Sequence, residues 1–146
     1  NLIKDALSKG ANCILGGSRS ERFEKGYFFE PTVLTGMQDD MKIMTDEPFA
    51  PVMPILSFDE IDEAIAKANN TNFGLAAYVL TNDLTAAMKC ADGLEFGTIG
   101  INDTVPATPQ GPFGGLKESG VGRENGIEGL DAYLETKFVS MALRES

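Results

Sequence analysis

Apolar positions fall in short blocks along the chain, some at helical spacing and some unbroken, with glycine, proline and asparagine between them. Leu2, Ile3, Ala6 and Leu7 share one face, as at the end of an amphipathic helix, and Gly10 is its stop. Cys13 to Leu15 predicts a short buried strand ending at Gly16-Gly17, and the polar residues 18–26 predict an exposed hairpin or loop. Tyr27 to Glu30 and Thr32 to Leu34 read as extended segments broken at Pro31. Val52 to Phe58 predicts a strand, and Ser57 with Glu60 a capping box. The next helix carries Ile61, Ala64, Ile65 and Ala68 on its apolar face, and Asn69 to Asn72 break it. Leu75 to Leu80 predicts a continuously apolar, buried strand. Asn82 or Asp83 caps a helix with Leu84, Ala87, Met88 and Ala91 in period, and Gly97 to Asn102 is another apolar strand. Strand, helix, strand, helix, strand is the order of parallel units in an α/β fold. Residues 127–133 predict two helical turns, and 134–143 alternate like a final strand.

One stretch fits none of these periods. Residues 112–124 hold Gly114, Gly115, Gly120 and Gly122, interleaved with Lys117, Glu118, Ser119, Arg123 and Glu124. Interior glycines each cost a helix or strand about 0.5–1 kcal/mol relative to alanine, so neither element forms here. A flexible linker is the plain alternative, but a linker has no use for Phe113 or for the apolar stretches on both sides. The reading is a long ordered loop whose glycines permit unusual backbone angles and close approach.

Composition narrows the function classes. The 146 residues suffice for one domain with a core, and 42% hydrophobic with 23% charged is an ordinary globular balance. A formal charge of −10 makes nucleic acid and anionic membrane poor partners. No apolar run approaches the roughly 20 residues of a membrane span. Cys13 and Cys90 lack metal-ligand spacing and the chain has no histidine, so neither a zinc motif nor a Ser-His or Cys-His pair is available. No metal site is expected. Reduced thiols in a cytoplasmic protein are the expectation. Phosphate-binding patterns fail as well: no Gly-x-Gly-x-x-Gly follows a strand, and Gly114-Gly115-Leu116-Lys117 lacks P-loop spacing.

Ligand sites of α/β sheets lie off the carboxyl ends of parallel strands, which points to the stretch after Asn102. A second candidate is Glu47 to Phe49, which Pro48 and Pro51 keep extended. Residues two apart on extended backbone point the same way. A carboxylate suits paired ribose hydroxyls and a ring suits a heterocycle, although a surface Glu beside a core Phe has the same pattern.

Glu47-Pro48-Phe49-Ala50-Pro51, Asn72-Phe73-Gly74-Leu75-Ala76-Ala77, Gly100-Ile101-Asn102 and the run Pro112 to Glu124 resemble, in order and spacing, the carboxyl-terminal third of an NAD(P)-dependent aldehyde dehydrogenase. The resemblance implies an α/β fold that is part of the family's catalytic domain, a parallel sheet with flanking helices over residues 1–132. It also implies an oligomerisation strand and tail over 133–146, pairing with another subunit through 133–143 in a homo-oligomer. On that resemblance Glu47 holds the nicotinamide ribose and Phe49 packs beside the nicotinamide of NAD or NADP. Thr104, Ala107, Thr108 and Phe113 belong to the aldehyde pocket, and Glu124 matches a buried glutamate of a proton relay. A structural alternative for Glu124 is a partner for Arg123 or a nearby lysine. The family's nucleophilic cysteine, its base, its oxyanion asparagine and its coenzyme domain match nothing here, so this chain by itself is expected to be inactive. Ala50 stands where the family usually has glycine. The stretch Gly126 to Lys137 is most similar to succinate-semialdehyde dehydrogenases, many of which place at position 107 a serine that meets the substrate carboxylate; here it is Ala107, with Thr104 and Thr108 nearby.

Because the chain opens on Asn1 in helix-like sequence, it reads as the carboxyl-terminal piece of a longer enzyme, completed by an amino-terminal part. The alternative is a free-standing truncated relative that only oligomerises or binds a partner. An exposed sheet edge left uncovered argues against that alternative.

Overall fold

The computed structural model describes residues 1–143. They form two compact units divided between Thr71 and Asn72, the first with a three-stranded sheet and the second, among the described residues, with two two-stranded ones.

The first unit opens with α1 (Leu2–Ser8). Gly10, at φ +100, ends it in a Schellman arrangement: its N–H donates to Leu7 and that of Ala11 to Ala6. β1 (Asn12–Leu15) then pairs antiparallel with β2 (Thr32–Thr35), and β2 pairs in parallel with β3 (Val52–Pro54). A 3-10 turn at Lys42–Met44 lies between β2 and β3, and α2 (Ile61–Asn69) closes the unit. Ala6, Ala11, Leu34, Met41 and Ile43 make its core, gathered from α1, the central strand β2 and the 3-10 turn. Asp5 ties α1 to that turn by accepting the Lys42 N–H at 2.8 Å. That bond, helped by Lys9, holds the Asp5 carboxyl below its ordinary range.

Several expectations change here. The strand at 13–15 forms but is not buried: β1 is the sheet edge, and Ile14 and Leu15 are 64% and 57% exposed. The strand expected over 52–58 stops at Pro54, opposite Leu34, and the Ile55 N–H gives its bond to the Leu34 carbonyl at 2.8 Å. Ser57 and Glu60 make no capping box. The N-cap is Glu60 without a side-chain bond, and Glu63 instead reaches back to the Asp59 N–H at 3.0 Å. Lys67, one turn on, pairs with Glu63 at 2.6 Å and lowers its pKa.

In the second unit, β4 (Phe73–Gly74) precedes β5 (Ala76–Val79), α3 (Leu84–Gly93) and β6 (Thr98–Ile101). β5 and β6 are parallel, in register from Ala76 opposite Thr98 to Val79 opposite Ile101, with α3 as the crossover. Asp83 is the cap of α3: its Oδ1 accepts the N–H groups of Thr85 and Ala86 at 2.7 and 3.3 Å. Ala87 and Cys90 are the buried face of that helix.

The expected run of three parallel strands across 52–102 is therefore split, with β3 in the first unit's sheet and only β5 and β6 together. Nor is Leu75 to Leu80 fully buried, since Tyr78 and Leu80 are 55% and 76% exposed. The two helical turns expected at 127–133 appear as a 3-10 helix at Glu128–Tyr133. Residues 134–143 form no ladder; a strand there has no neighbour among the described residues of one chain. No helix among the described residues is long and apolar enough to cross a membrane.

Candidate active site

The glycine-rich run is an ordered loop folded onto β4 and β6. Its middle, β7 (Leu116–Lys117), pairs antiparallel with β4, Phe73 opposite Lys117. Ser119 Oγ accepts the Gly74 N–H at 2.9 Å, and the Glu118 N–H donates to Asn72 at 2.9 Å. Lys117 pairs with Glu95 at 2.7 Å. At the ends of the loop Phe113 and Glu124 exchange two backbone hydrogen bonds, both 2.7 Å, closing an antiparallel bridge. Arg123 fills the space beneath, donating from Nη1 to the carbonyls of Gly115 at 3.1 Å and Gly122 at 2.7 Å.

Glycine is required here for contact more than for angle. A Cβ on Gly97 would overlap the carbonyl of Gly114, and one on Gly115 would overlap Ser119. Backbone thus lies directly on backbone where β6 begins.

The loop bounds an open cavity of about 760 Å³, with Leu75, Phe113, Arg123, Glu124, Leu130 and Tyr133 among its walls. Phe113 and Glu124, expected from the sequence to serve the site, are brought together in this wall. Phe113 is half-buried, and Glu124 is exposed rather than buried. Arg123 is spent on carbonyls, so the expected alternative of an Arg123–Glu124 pair does not form. Thr104, Ala107 and Thr108 are exposed in the loop after β6 and do not line this cavity.

Glu47 and Phe49 belong to the first unit. Successive tight turns hold their backbone, with Phe49 N–H donating to Glu47 at 3.1 Å, Ala50 to Pro48 at 2.6 Å and Val52 to Ala50 at 2.7 Å. These turns replace the plain extended segment expected from Pro48 and Pro51. Both side chains are exposed, Phe49 at 93%. A carboxylate with free lone pairs and a ring with an open face are the groups a nucleoside end requires, so the residues present fit one.

Two features escaped the sequence reading. Gly97 passed as an ordinary strand residue, although a glycine inside an apolar strand is a signal for close backbone approach. Ser119 carried no signal, because its acceptor role depends on β4 lying opposite.

Residues 1–139 match the model of the aldehyde dehydrogenase family. The chain belongs to that family. It is 43% identical over 139 residues to a mitochondrial succinate-semialdehyde dehydrogenase of Oryza sativa subsp. japonica, an alignment covering 95% of this chain and 26% of that protein. It superposes on an Escherichia coli NADP-dependent enzyme with a TM-score of 0.90 at 41% identity, over 97% of this chain and 29% of the other. A betaine aldehyde dehydrogenase of Staphylococcus aureus, solved with NAD+, superposes with a TM-score of 0.87 at 42% identity, over 92% and 27%. The chain thus spans little more than a quarter of the length of these relatives. It is an α/β part of the aldehyde dehydrogenase fold, and its relatives use NADP or NAD.

Proposed function

We propose that this chain is the carboxyl-terminal segment of an NAD(P)-dependent aldehyde dehydrogenase that oxidises a semialdehyde, of which succinate semialdehyde is the leading example, to its carboxylate. The observation that carries this reading is the glycine-rich run, folded as an ordered loop that puts Phe113 and Glu124 in one cavity wall, within a chain whose residues 1–139 match the family. Glu47 accepts hydrogen bonds from the nicotinamide ribose and Phe49 lies against the ring. Bound coenzyme supplies the hydride acceptor.

Phe113 shields the aldehyde end from water, and the Glu124 carboxylate, with no ion pair among the described residues, takes up and passes on a proton. Thr104 and Thr108 supply hydroxyl donors where Ala107 has none, which suits a carboxylate-bearing substrate. The nucleophilic cysteine and the base come from sequence preceding this segment, so the segment alone is inactive. Assembly into a homo-oligomer through residues 133–143 and a cytoplasmic location complete the proposal.

The relatives' names span opposite charges, succinate semialdehyde being an anion and betaine aldehyde a cation. The test compares kcat/KM of the longer protein for succinate semialdehyde, butanal and betaine aldehyde. Preference for the anion, reduced in Thr108→Val, is the expected result; equal or better turnover of the neutral or cationic aldehyde overturns the substrate assignment.

A further inference from the structure

The stretch between β6 and β7 is fastened at both ends, and the first fastening is made by a side chain. Asn102 directly follows β6, its N–H donating to the Val79 carbonyl at 2.8 Å. Its own backbone then turns left-handed, φ +54, so the chain leaves the sheet at this residue. The Asn102 side-chain amide takes the place of the missing next strand residue. Its Oδ1 accepts the Thr81 N–H at 3.0 Å and its Nδ2 donates to the Thr81 carbonyl at 2.8 Å. Thr81 lies between the end of β5 and the cap of α3, and its Oγ1 accepts the Asp83 N–H at 3.1 Å. One amide therefore joins the carboxyl ends of both parallel strands.

The residues after Asn102 are packed just as tightly. The Asp103 carbonyl folds back over Gly100, leaving no room there for a Cβ, and Asp103 Oδ1 accepts the Val105 N–H at 2.9 Å. At the far end, the Gly126 N–H holds the Pro109 carbonyl at 3.0 Å and Phe113 is bridged to Glu124. Between these ties lie residues 104–108, which include Thr104, Ala107 and Thr108.

We propose that Asn102 is a positioning residue for aldehyde selection: its amide, clamped on Thr81, sets the direction in which residues 103–108 leave the sheet and so places the substrate-facing hydroxyls. The proposal rests on the reading of that loop as the aldehyde-binding one. The clamp lies beyond the four-residue β5–β6 ladder, so its loss frees the loop and leaves the sheet intact. Asparagine suits the position twice over. It tolerates the left-handed backbone, and it is one of the two side chains, with glutamine, that offer a paired donor and acceptor of peptide shape.

Two variants separate these roles. Asn102→Gly keeps the backbone angle and removes the amide, while Asn102→Asp keeps the shape and sets an oxygen against the Thr81 carbonyl. In the longer protein, hydrogen exchange of the Val105 amide, held by Asp103 Oδ1 within the loop, rises about tenfold in both, with Ala76–Val79 and Thr98–Ile101 unchanged. In steady-state kinetics the KM for aldehyde rises about tenfold, while kcat and the KM for coenzyme stay within about twofold. Wild-type exchange at Val105, loss of protection across β5 and β6, or a fall in kcat at constant aldehyde KM each overturns the proposal. A wild-type protein that oxidises no aldehyde defeats the functional reading itself, a result distinguished by the exchange experiment, which needs no turnover.

Discussion

Gly97→Ala adds one methyl group at the point where β6 starts under the glycine loop. Its Cβ would overlap the Gly114 carbonyl, with the Gly115 Cα a further 3.3 Å contact. These neighbours are backbone and cannot step aside by changing rotamer. Overpacking of this kind costs about 1–3 kcal/mol. Against it stands about 0.4–1 kcal/mol from the less flexible unfolded chain. The net is a loss of about 1–2 kcal/mol, or about 5- to 30-fold in the population of open states. The strain falls on the bridge one residue away, so the paired amides of Phe113 and Glu124 report it. Their hydrogen exchange should quicken by about that factor.

Gly111→Ala is the control, because its Cβ meets only Thr108 Oγ1 at the ordinary distance of 3.6 Å. It should leave the bridge unchanged and at most stabilise the protein. Equal protection in wild type and Gly97→Ala, or equal damage from both variants, would refute the contact argument.

Removing the cap in Asp83→Ala should cost about 0.5–2 kcal/mol, read as a lower urea midpoint with unchanged m-value; an unchanged midpoint denies the cap any role. Ser119→Ala leaves the Gly74 N–H without its acceptor and should cost about 1–3 kcal/mol, which an equally stable variant would contradict. Asp5 and Glu63 both titrate below their ordinary values in the folded chain. Their contribution is therefore fully present above the unfolded carboxylate pKa and is lost as pH falls through the depressed folded values. Stability should decline below about pH 4, and Asp5→Asn should flatten that decline; an identical acid limb would remove Asp5 from the account.

The sequence carried the local elements well and the long-range pairings poorly. Leu2 to Gly10, Asp83 to Ala91 and the glycine run each hold their own evidence, in periodicity, caps and breakers, and each appears as expected. The partner of β3 does not, because Val52 to Pro54 is equally apolar whichever strand lies beside it. Burial misled at Ile14, Leu15 and Leu80, since an apolar side chain carries no mark of whether this chain or another covers it. Glu47, Phe49, Phe113 and Glu124 came from a motif that periodicity does not contain. Asn102 was legible as the end of a strand, whereas its bond to Thr81 required two distant turns to meet.

The most direct measurement is aldehyde-dependent coenzyme reduction by the longer protein, in wild type and Phe49→Ala. The account predicts reduced coenzyme formed with a semialdehyde, and a coenzyme KM raised about tenfold by the substitution while the aldehyde KM stays within about twofold. No reduction with any aldehyde, or a Phe49→Ala variant identical to wild type, would contradict it.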